Sequence, residues 1–160
     1  MMRPEDDMNR VEYVKLNDVD PAKFLALLNK QKIRQHLVDH PLFDVGTVNA
    51  WLETKIEMDA SPGCKVRAVV VDKQLAGWCG IQRENEKYEL AVILDDGYWG
   101  LGRTLLRELM VWAKDLGHKT IFIHFLHTRP EYRHLRKIAR NVYKSKLLGS
   151  EFTTYELAVE

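Results

Sequence analysis

The chemistry this chain can do is concentrated in one short run, Tyr98-Trp99-Gly100-Leu101-Gly102-Arg103-Thr104. It follows an apolar, β-branched stretch and opens a segment of helical periodicity. A strand that feeds a glycine turn opening a helix is suited to hold phosphate. The first N–H groups of a helix lack intrahelical acceptors, the helix dipole favours an anion there, and glycine lets the backbone approach the phosphate oxygens. A tight turn without a ligand is the alternative for the same residues. Two other phosphate cradles fit poorly. There is no Gly-Lys-Ser/Thr, so the turn is not a P-loop. Gly100-Leu101-Gly102-Arg103-Thr104-Leu105 lacks the third glycine of a dinucleotide fingerprint, and the strands before it read as an antiparallel meander rather than a Rossmann unit.

Other residues of chemical interest are scattered. His124 and His127 bracket the end of an apolar strand, and His124 is either a base or a satisfied core histidine. His36, Asp39 and His40 have helical spacing for a metal. No further ligand is evident and His40 precedes Pro41, so no metal is expected. Cys64 and Cys79 form no Cys-x-x-Cys motif and have no activating neighbours in sequence, which reads as a reduced structural pair.

The elements that must position these residues follow from periodicity. Val11–Leu16 alternates like a half-buried strand. Asp20 caps a helix opening at Pro21, with Phe24, Leu25, Leu27 and Leu28 as its stripe. A shorter helical piece covers Lys32–Val38. Thr47 caps a helix over Val48–Met58, with Trp51, Leu52, Lys55 and Ile56 facing one way. Lys65–Val71, Leu75–Gln82 and Tyr88–Leu94 are three strands joined by the short turns at Asp72-Lys73 and Glu84-Asn85-Glu86. Leu101, Leu105, Leu109, Trp112, Ala113 and Leu116 share a helical face that Gly117 ends. Thr120–Leu126 is a buried strand. Pro130 opens a last helix, near a cap at Thr128 or Arg129, with Leu135, Ile138, Ala139 and Val142 as its stripe. Phe152–Val159 is the final strand. The order predicts an α/β fold with a mixed, largely antiparallel sheet of about six strands flanked by helices.

Composition sets the frame. The 160 residues carry 46% hydrophobic and 29% charged side chains and a formal net charge of +1. One domain over residues 11–160 is expected, after a frayed segment over 1–10. The charge gives no global pull toward nucleic acid or membrane. No apolar run approaches the roughly 20 residues of a span, and the first ten residues have no signal-peptide core, so a cytoplasmic protein is expected.

The run Ile93-Leu94-Asp95-Asp96-Gly97-Tyr98-Trp99-Gly100-Leu101-Gly102 resembles the pyrophosphate loop of the GNAT superfamily of acyltransferases. Its Tyr-Trp-Gly is similar to that of the ribosomal-protein N-terminal acetyltransferases. The family signature is Gln/Arg-x-x-Gly-x-Gly/Ala. Without a gap, Trp99 takes its first position, Gly102 the first glycine and Thr104 the last, where the family has Gly or Ala. A shifted register uses Gly97, Gly100 and Gly102 instead. The order of elements from Val11 to Val159 also follows the family fold, and the likeness is sharpest over Leu75–Leu116.

The resemblance implies acetyl-CoA as co-substrate and no metal. It implies that the strand before the loop splays from the strand after the helix, that Ala91, Val92, Ile93 and Leu94 supply backbone bonds to pantothenate, and that Trp99, Gly100, Leu101, Gly102, Arg103 and Thr104 surround the pyrophosphate. Glu89 matches a glutamate that often serves as base on this strand, with Glu84 and Glu86 as weaker candidates. Ala139-Arg140-Asn141-Val142-Tyr143 matches part of the family's last-helix motif, which makes Tyr143 the general acid. Arg133, Arg136, Lys137, Arg140, Lys144 and Lys146 then form a solvated helix face, part of which could meet the CoA 3′-phosphate or an acidic acceptor. The implied function is transfer of an acetyl group to a primary amine by direct attack, the acceptor being a small molecule or a protein or peptide amine. A homodimer is compatible with this, and neither membrane nor nucleic acid is an expected partner. The alternative is a CoA-binding or RNA-binding module on the same fold without catalysis.

Overall fold

The computed structural model describes residues 10–35, 40–129, 132–147 and 149–160. Val11–Val14 is β1, Lys65–Val71 is β2, Gln74–Glu84 is β3 and Lys87–Leu94 is β4; β2, β3 and β4 make the expected antiparallel meander, and β1 adds to it antiparallel to β2. Its hairpins turn where the sequence places turn residues. Asp72 and Lys73 take φ of 49° and 67°, and Asn85 takes 57°, the left-handed region that tight hairpins require. Thr120–Leu126 is β5, Ala139–Leu147 is β6 and Ser150–Ala158 is β7. The sheet has seven strands in the order β1-β2-β3-β4-β5-β7-β6, with β4 and β5 as its parallel neighbours.

Helices cover both faces. On one side lie α1 (Pro21–Leu28), the short α2 (Gln31–Arg34) and α3 (Val45–Asp59). Phe24, Leu27, Val48 and Leu52 bury there against Val66, Ala68 and Trp78. On the other lies α4 (Gly102–Asp115), whose Leu105, Leu109, Trp112 and Ala113 bury against Ile81, Leu90, Ile121 and Tyr155. Those four α4 residues belong to the stripe periodicity predicts, whereas Leu116 of that stripe is 38% exposed at the C-cap, and Gly117 ends the helix at φ 87°. Alternation decides which strand residues face which layer: Leu90, Val92 and Leu94 join the α4 core, while Ala91 and Ile93 pack toward α1 and α3. No described helix is long and apolar enough to cross a membrane.

Of the three helix N-caps expected, that of α1 holds as read. Asp20 accepts from Ala22 N at 2.9 Å beside Pro21. The cap of α3 is Asp44 rather than Thr47. Asp44 and Thr47 close a reciprocal capping box, with Thr47 as its third helical residue, so the helix starts three residues earlier than predicted.

The larger correction concerns the last predicted helix. Only α5, Arg133–Ile138, is helical, with Tyr132 at its N-cap, and Pro130 lies outside the described residues. From Ala139 the chain is strand β6, which accounts for seven strands instead of about six. Asn141, Val142, Tyr143 and Ser145 are weak helix formers, and Gly149 at φ 77° turns the chain back into β7. Backbone hydrogen bonds to β7 then outweigh a short basic helix. Leu135 is buried, but Ile138 of the predicted stripe is 46% exposed. Lys144 and Lys146 stand on the outer strand, where lysines discourage strand addition.

A glycine sets how closely β3 packs on β4. A Cβ on Gly77 would lie 1.9 Å from the Ile93 carbonyl oxygen, against rigid backbone. Gly77→Ala should therefore destabilise the protein by about 3 kcal/mol or more, which lowers Tm by roughly 10 °C for a domain of this size. Gly102, where an added Cβ meets nothing within 4 Å, should accept alanine with a shift of no more than about 1 kcal/mol. Thermal unfolding followed by circular dichroism checks both.

Candidate functional site

The ladder between β4 and β5 is two rungs long, Glu89↔Phe122 and Leu90↔Ile123. Beyond it β4 stays paired to β3 and β5 to β7, but the two central strands part. The gap opens on the α4 side into a cavity of about 690 Å³. Val92, Leu94, Trp99, Gly100, Gly102 and Arg103 form one wall, and Phe125, Arg129, Tyr132 and Arg133 stand on the other. Of the remaining residues expected there, Ala91 and Ile93 turn their side chains to the opposite face and offer only backbone. Leu101 is buried in the core, and Thr104 is not among the lining residues.

The glycine turn is a 3-10 turn, Asp96–Leu101, running directly into α4. Leu101 at the N-cap contributes no side-chain bond, and the N–H of Gly102, the first residue of α4, donates to Trp99 O of the 3-10 turn. The turn is pinned from several sides. Asp95 accepts from Asp96 N at 2.9 Å, and its own N–H donates to Ala76 O at 2.8 Å. Trp99, half exposed, donates its indole N–H to Leu94 O at 3.0 Å. Lys30 pairs with Asp95, and Lys32 with Asp96 at 2.8 Å. The Lys32 hydrogen bond holds the Asp96 carboxyl below the ordinary carboxylate range.

On the other sheet face a row of polar side chains crosses five strands. Lys55 of α3 donates to Gln82 Oε1. Gln82 Nε2 donates to Glu89 Oε1 at 3.5 Å, a long contact. Glu89 Oε2 lies 3.3 Å from His124 Nε2, and His124 Nδ1 lies 2.7 Å from Thr154 Oγ1. Thr154 Oγ1 lies 2.8 Å from Ser145 Oγ. Register explains the row, since Gln82 faces Glu89 and His124 faces Thr154 across neighbouring strands. Burial, reinforced by the charge of Glu84 and opposed by Lys55, pushes the Glu89 carboxyl up to about 7. Burial pushes the His124 imidazole down. Burial thus favours the neutral form of both partners, which makes the 3.3 Å contact a hydrogen bond rather than an ion pair. A carboxyl poised near neutrality on the last rungs before the strands part is placed to take a proton from a group reacting in the gap.

Glu89 and His124, alternatives in the sequence, are one pair in the fold. Glu84 acts on Glu89 through its charge, while Glu86 is an exposed turn residue. His127 contacts Glu151 O at the exposed end of β5. Tyr143 is not on a helix: it pairs with Thr154 on the outermost strand, two strand spacings or about 10 Å beyond β5, and does not line the cavity. The tyrosine that does is Tyr132. Its Oη accepts from Arg129 Nε at 3.0 Å and Nη2 at 2.6 Å, and its ring packs on Phe125 at 4.7 Å. Its position just before a basic helical run was the only signal in the sequence, and the match at Tyr143 obscured it.

The basic residues do not form one helical face. Arg133 reaches the cavity, whereas Arg140 and Lys144 lie on β6 and donate to Thr120 and Thr153. His36 and Asp39 lie outside the described residues, and His40 Nδ1 contacts Pro41 O. No group of three or more metal-ligating residues occurs among the described residues. Both cysteines are buried free thiols, and burial pushes Cys79 up to about 12, away from reactivity.

Residues 30–144 match the model of the Acetyltransferase (GNAT) family. No curated protein sequence matches the chain. Many solved structures share the fold, and three of them illustrate it. Spermidine N-acetyltransferase from Vibrio cholerae, in complex with CoA and spermine, has a TM-score of 0.72 at 14% identity, covering 94% of this chain and 96% of that one. An N-acetyltransferase from Staphylococcus aureus Mu50 has a TM-score of 0.69 at 17% identity, covering 94% and 98%. Ribosomal-protein-alanine N-acetyltransferase from Brucella melitensis has a TM-score of 0.67 at 18% identity, covering 92% and 98%.

The Glu89 environment has a measurable cost. Its carboxyl keeps its proton to a higher pH in the folded protein, about 7, than at its ordinary value of 4.5 in the unfolded chain. Stability from this group is therefore complete below the unfolded value and is lost as pH rises through the folded one. Glu89→Gln, neutral throughout, should gain on the wild type between about pH 5 and about pH 8, by at most about 3 kcal/mol. Urea unfolding of both proteins at the two pH values measures it.

Proposed function

The chain belongs to the GNAT acetyltransferase family and is an acyl-CoA-dependent N-acetyltransferase; from that premise we propose that it transfers the acetyl group of acetyl-CoA to a primary amine by direct attack. The observation that carries this reading is the gap between β4 and β5, which runs from the glycine turn to the rung of Glu89. Acetyl-CoA would lay its pyrophosphate against the start of α4, where Leu101 offers no side-chain cap, and its pantetheine arm along the open backbone edge of Ala91–Leu94. Leu94 is the weakest of these partners, because its carbonyl already accepts from Trp99. The thioester then reaches the level of Glu89.

The amine approaches from the α3 face and gives its proton to the Glu89–His124 pair. Its nitrogen attacks the thioester carbonyl, the C–N bond forms, and the C–S bond breaks. The departing thiolate needs a proton, and we assign that donor to Tyr132 in place of Tyr143. The Tyr132 oxygen accepts from the Arg129 guanidinium, which leaves its O–H free to donate into the cavity and supports negative charge after it has done so. The acceptor is a small-molecule amine or a peptide amine, and the reaction is placed in the cytoplasm. The Vibrio cholerae protein is named for a polyamine and the Brucella melitensis protein for a protein alanine, so the fold serves both kinds. A base pair poised at the parting of the strands favours catalysis over a CoA- or RNA-binding module that has lost it.

Isothermal calorimetry should show CoA and acetyl-CoA binding without a matching response to NAD or ATP. Gly102→Asp should weaken binding at least tenfold by setting a carboxylate where phosphate sits. Glu89→Gln should lower kcat by roughly 10²–10⁴ with CoA affinity nearly unchanged. Because the unprotonated carboxylate is the active form, the wild-type rate should climb with pH up to about 7, and the variant should lose that limb. Equal CoA binding by Gly102→Asp would refute the phosphate site.

The two tyrosines separate by the same removal of a hydroxyl. Tyr132→Phe should lower turnover about tenfold or more while keeping the ring contact with Phe125. Tyr143→Phe should change turnover by less than about twofold. The reverse order in steady-state assays would return the acid role to Tyr143.

A further inference from the structure

Lys55 projects from α3 onto the sheet face where the amine arrives. Its Nζ lies 4.6 Å from the Trp78 ring centroid and 5.7 Å from that of Trp51. It donates one hydrogen bond, to Gln82 Oε1. Among the described residues it forms no ion pair with a carboxylate, although Glu84 and Glu89 are near enough to act on it through space. Burial correspondingly pushes its pKa down. A desolvated ammonium is costly unless an anion completes it, and two of its three N–H donors have no acceptor among the described residues.

The position of this cation relative to the base is fixed. The Gln82 amide bridges the two: its oxygen accepts from Lys55 and its nitrogen donates to Glu89. A positive charge and a proton-accepting carboxylate thus stand one amide group apart on the same face. Glu89 and His124 side chains keep 18% and 19% of their surface exposed, so the row can be reached from outside. The complementary ligand has an amine at one end and an anion at the other, a few bonds apart.

We propose that the acceptor carries a carboxylate or phosphate beside its reactive amine, and that Lys55 binds that group while Glu89 and His124 receive the amine. This rests on the acetyltransferase reading and narrows it. An amino acid or an aminoalkyl phosphate satisfies both ends. A polyamine brings a second cation toward Lys55, and the neutral N-terminal residue of a peptide lacks the anion.

The test is a panel of matched acceptors that differ only in the anion, assayed by release of CoA thiol and corrected for the fraction of free amine. Amino acids are compared with their primary amides, aminoalkyl phosphates with the corresponding amino alcohols, and a diamine is added. The wild type should favour the anionic member of at least one pair by about tenfold or more in kcat/KM, and which pair responds tells carboxylate from phosphate. Lys55→Met should erase that preference, chiefly through KM, and Lys55→Arg should keep most of it. Equal or better use of the amides, alcohols or diamine by the wild type would overturn the inference whether or not the variants fold, as would a preference that survives in folded Lys55→Met. Those outcomes leave the transferase reading standing. Absence of acetyl-CoA binding in calorimetry, or of thiol release with every acceptor, overturns both.

Discussion

The parting of β4 from β5 is the constraint on which the rest of the structure depends. Backbone N–H and C=O groups in the middle of a sheet are ordinarily paired, and here the ladder stops after two rungs. An opening of this kind must be held from outside, because the two strand ends would otherwise close on each other. The meander holds one side. Gly77 lets β3 sit tightly against β4 at Ile93, Asp95 N–H bonds back to Ala76, and Trp99 occupies the Leu94 carbonyl. The other side is held by β7, which pairs with β5 along its full length from Thr120 to Leu126.

The opening matters because it joins two surfaces that a closed sheet would separate. The α4 face carries the helix start, which no N-cap side chain covers, and Tyr132, and the α3 face carries Lys55, Glu89 and His124. On the function proposed above, a thioester in the gap would meet the base on one side and the proton donor on the other. The same geometry links the two halves of the molecule mechanically. Lys30 and Lys32, next to and within the short α2, reach Asp95 and Asp96 at the glycine turn, so a shift of the N-terminal helices is felt at that turn. Exposed pairs of this kind contribute little to stability, and their effect is on position.

What the sequence made legible was local. Alternation located β2 and β5 to the residue, because both are β-branched or aromatic runs bounded by turn residues. The apolar stripe of α4 and its closing glycine were equally plain. The segment after Ile138 was misread because Ala139 and Val142 fall at helical spacing from Leu135, whereas the decisive partner, β7, lies on the far side of a hairpin. Lateral register was not legible at all. Glu89 and His124 belong to strands separated by a whole helix, so sequence could only offer them as rivals, and their contact follows from the parallel pairing of β4 with β5. The parting of the strands has no local signature either, and was expected only through the family resemblance.

The row behind Glu89 bears on how its carboxyl keeps its proton affinity near neutrality without an ion pair. Thr154 is fully buried, and its hydroxyl touches both His124 Nδ1 and Ser145 Oγ. A hydroxyl can donate or accept by rotating, and a neutral imidazole carries its proton on either nitrogen. If Thr154 donates to Nδ1, the proton sits on Nε2 and supports an ionised Glu89. If Thr154 accepts from Nδ1, Nε2 is bare and supports a protonated Glu89. Ser145 can answer either orientation. The two protonation states of Glu89 are therefore each matched by a hydrogen-bond pattern of the same side chains. A nearby Arg or Lys in contact with Glu89 would favour the ionised form alone and leave a weaker base. Holding Lys55 one amide away, behind Gln82, avoids that while keeping a cation available to a ligand.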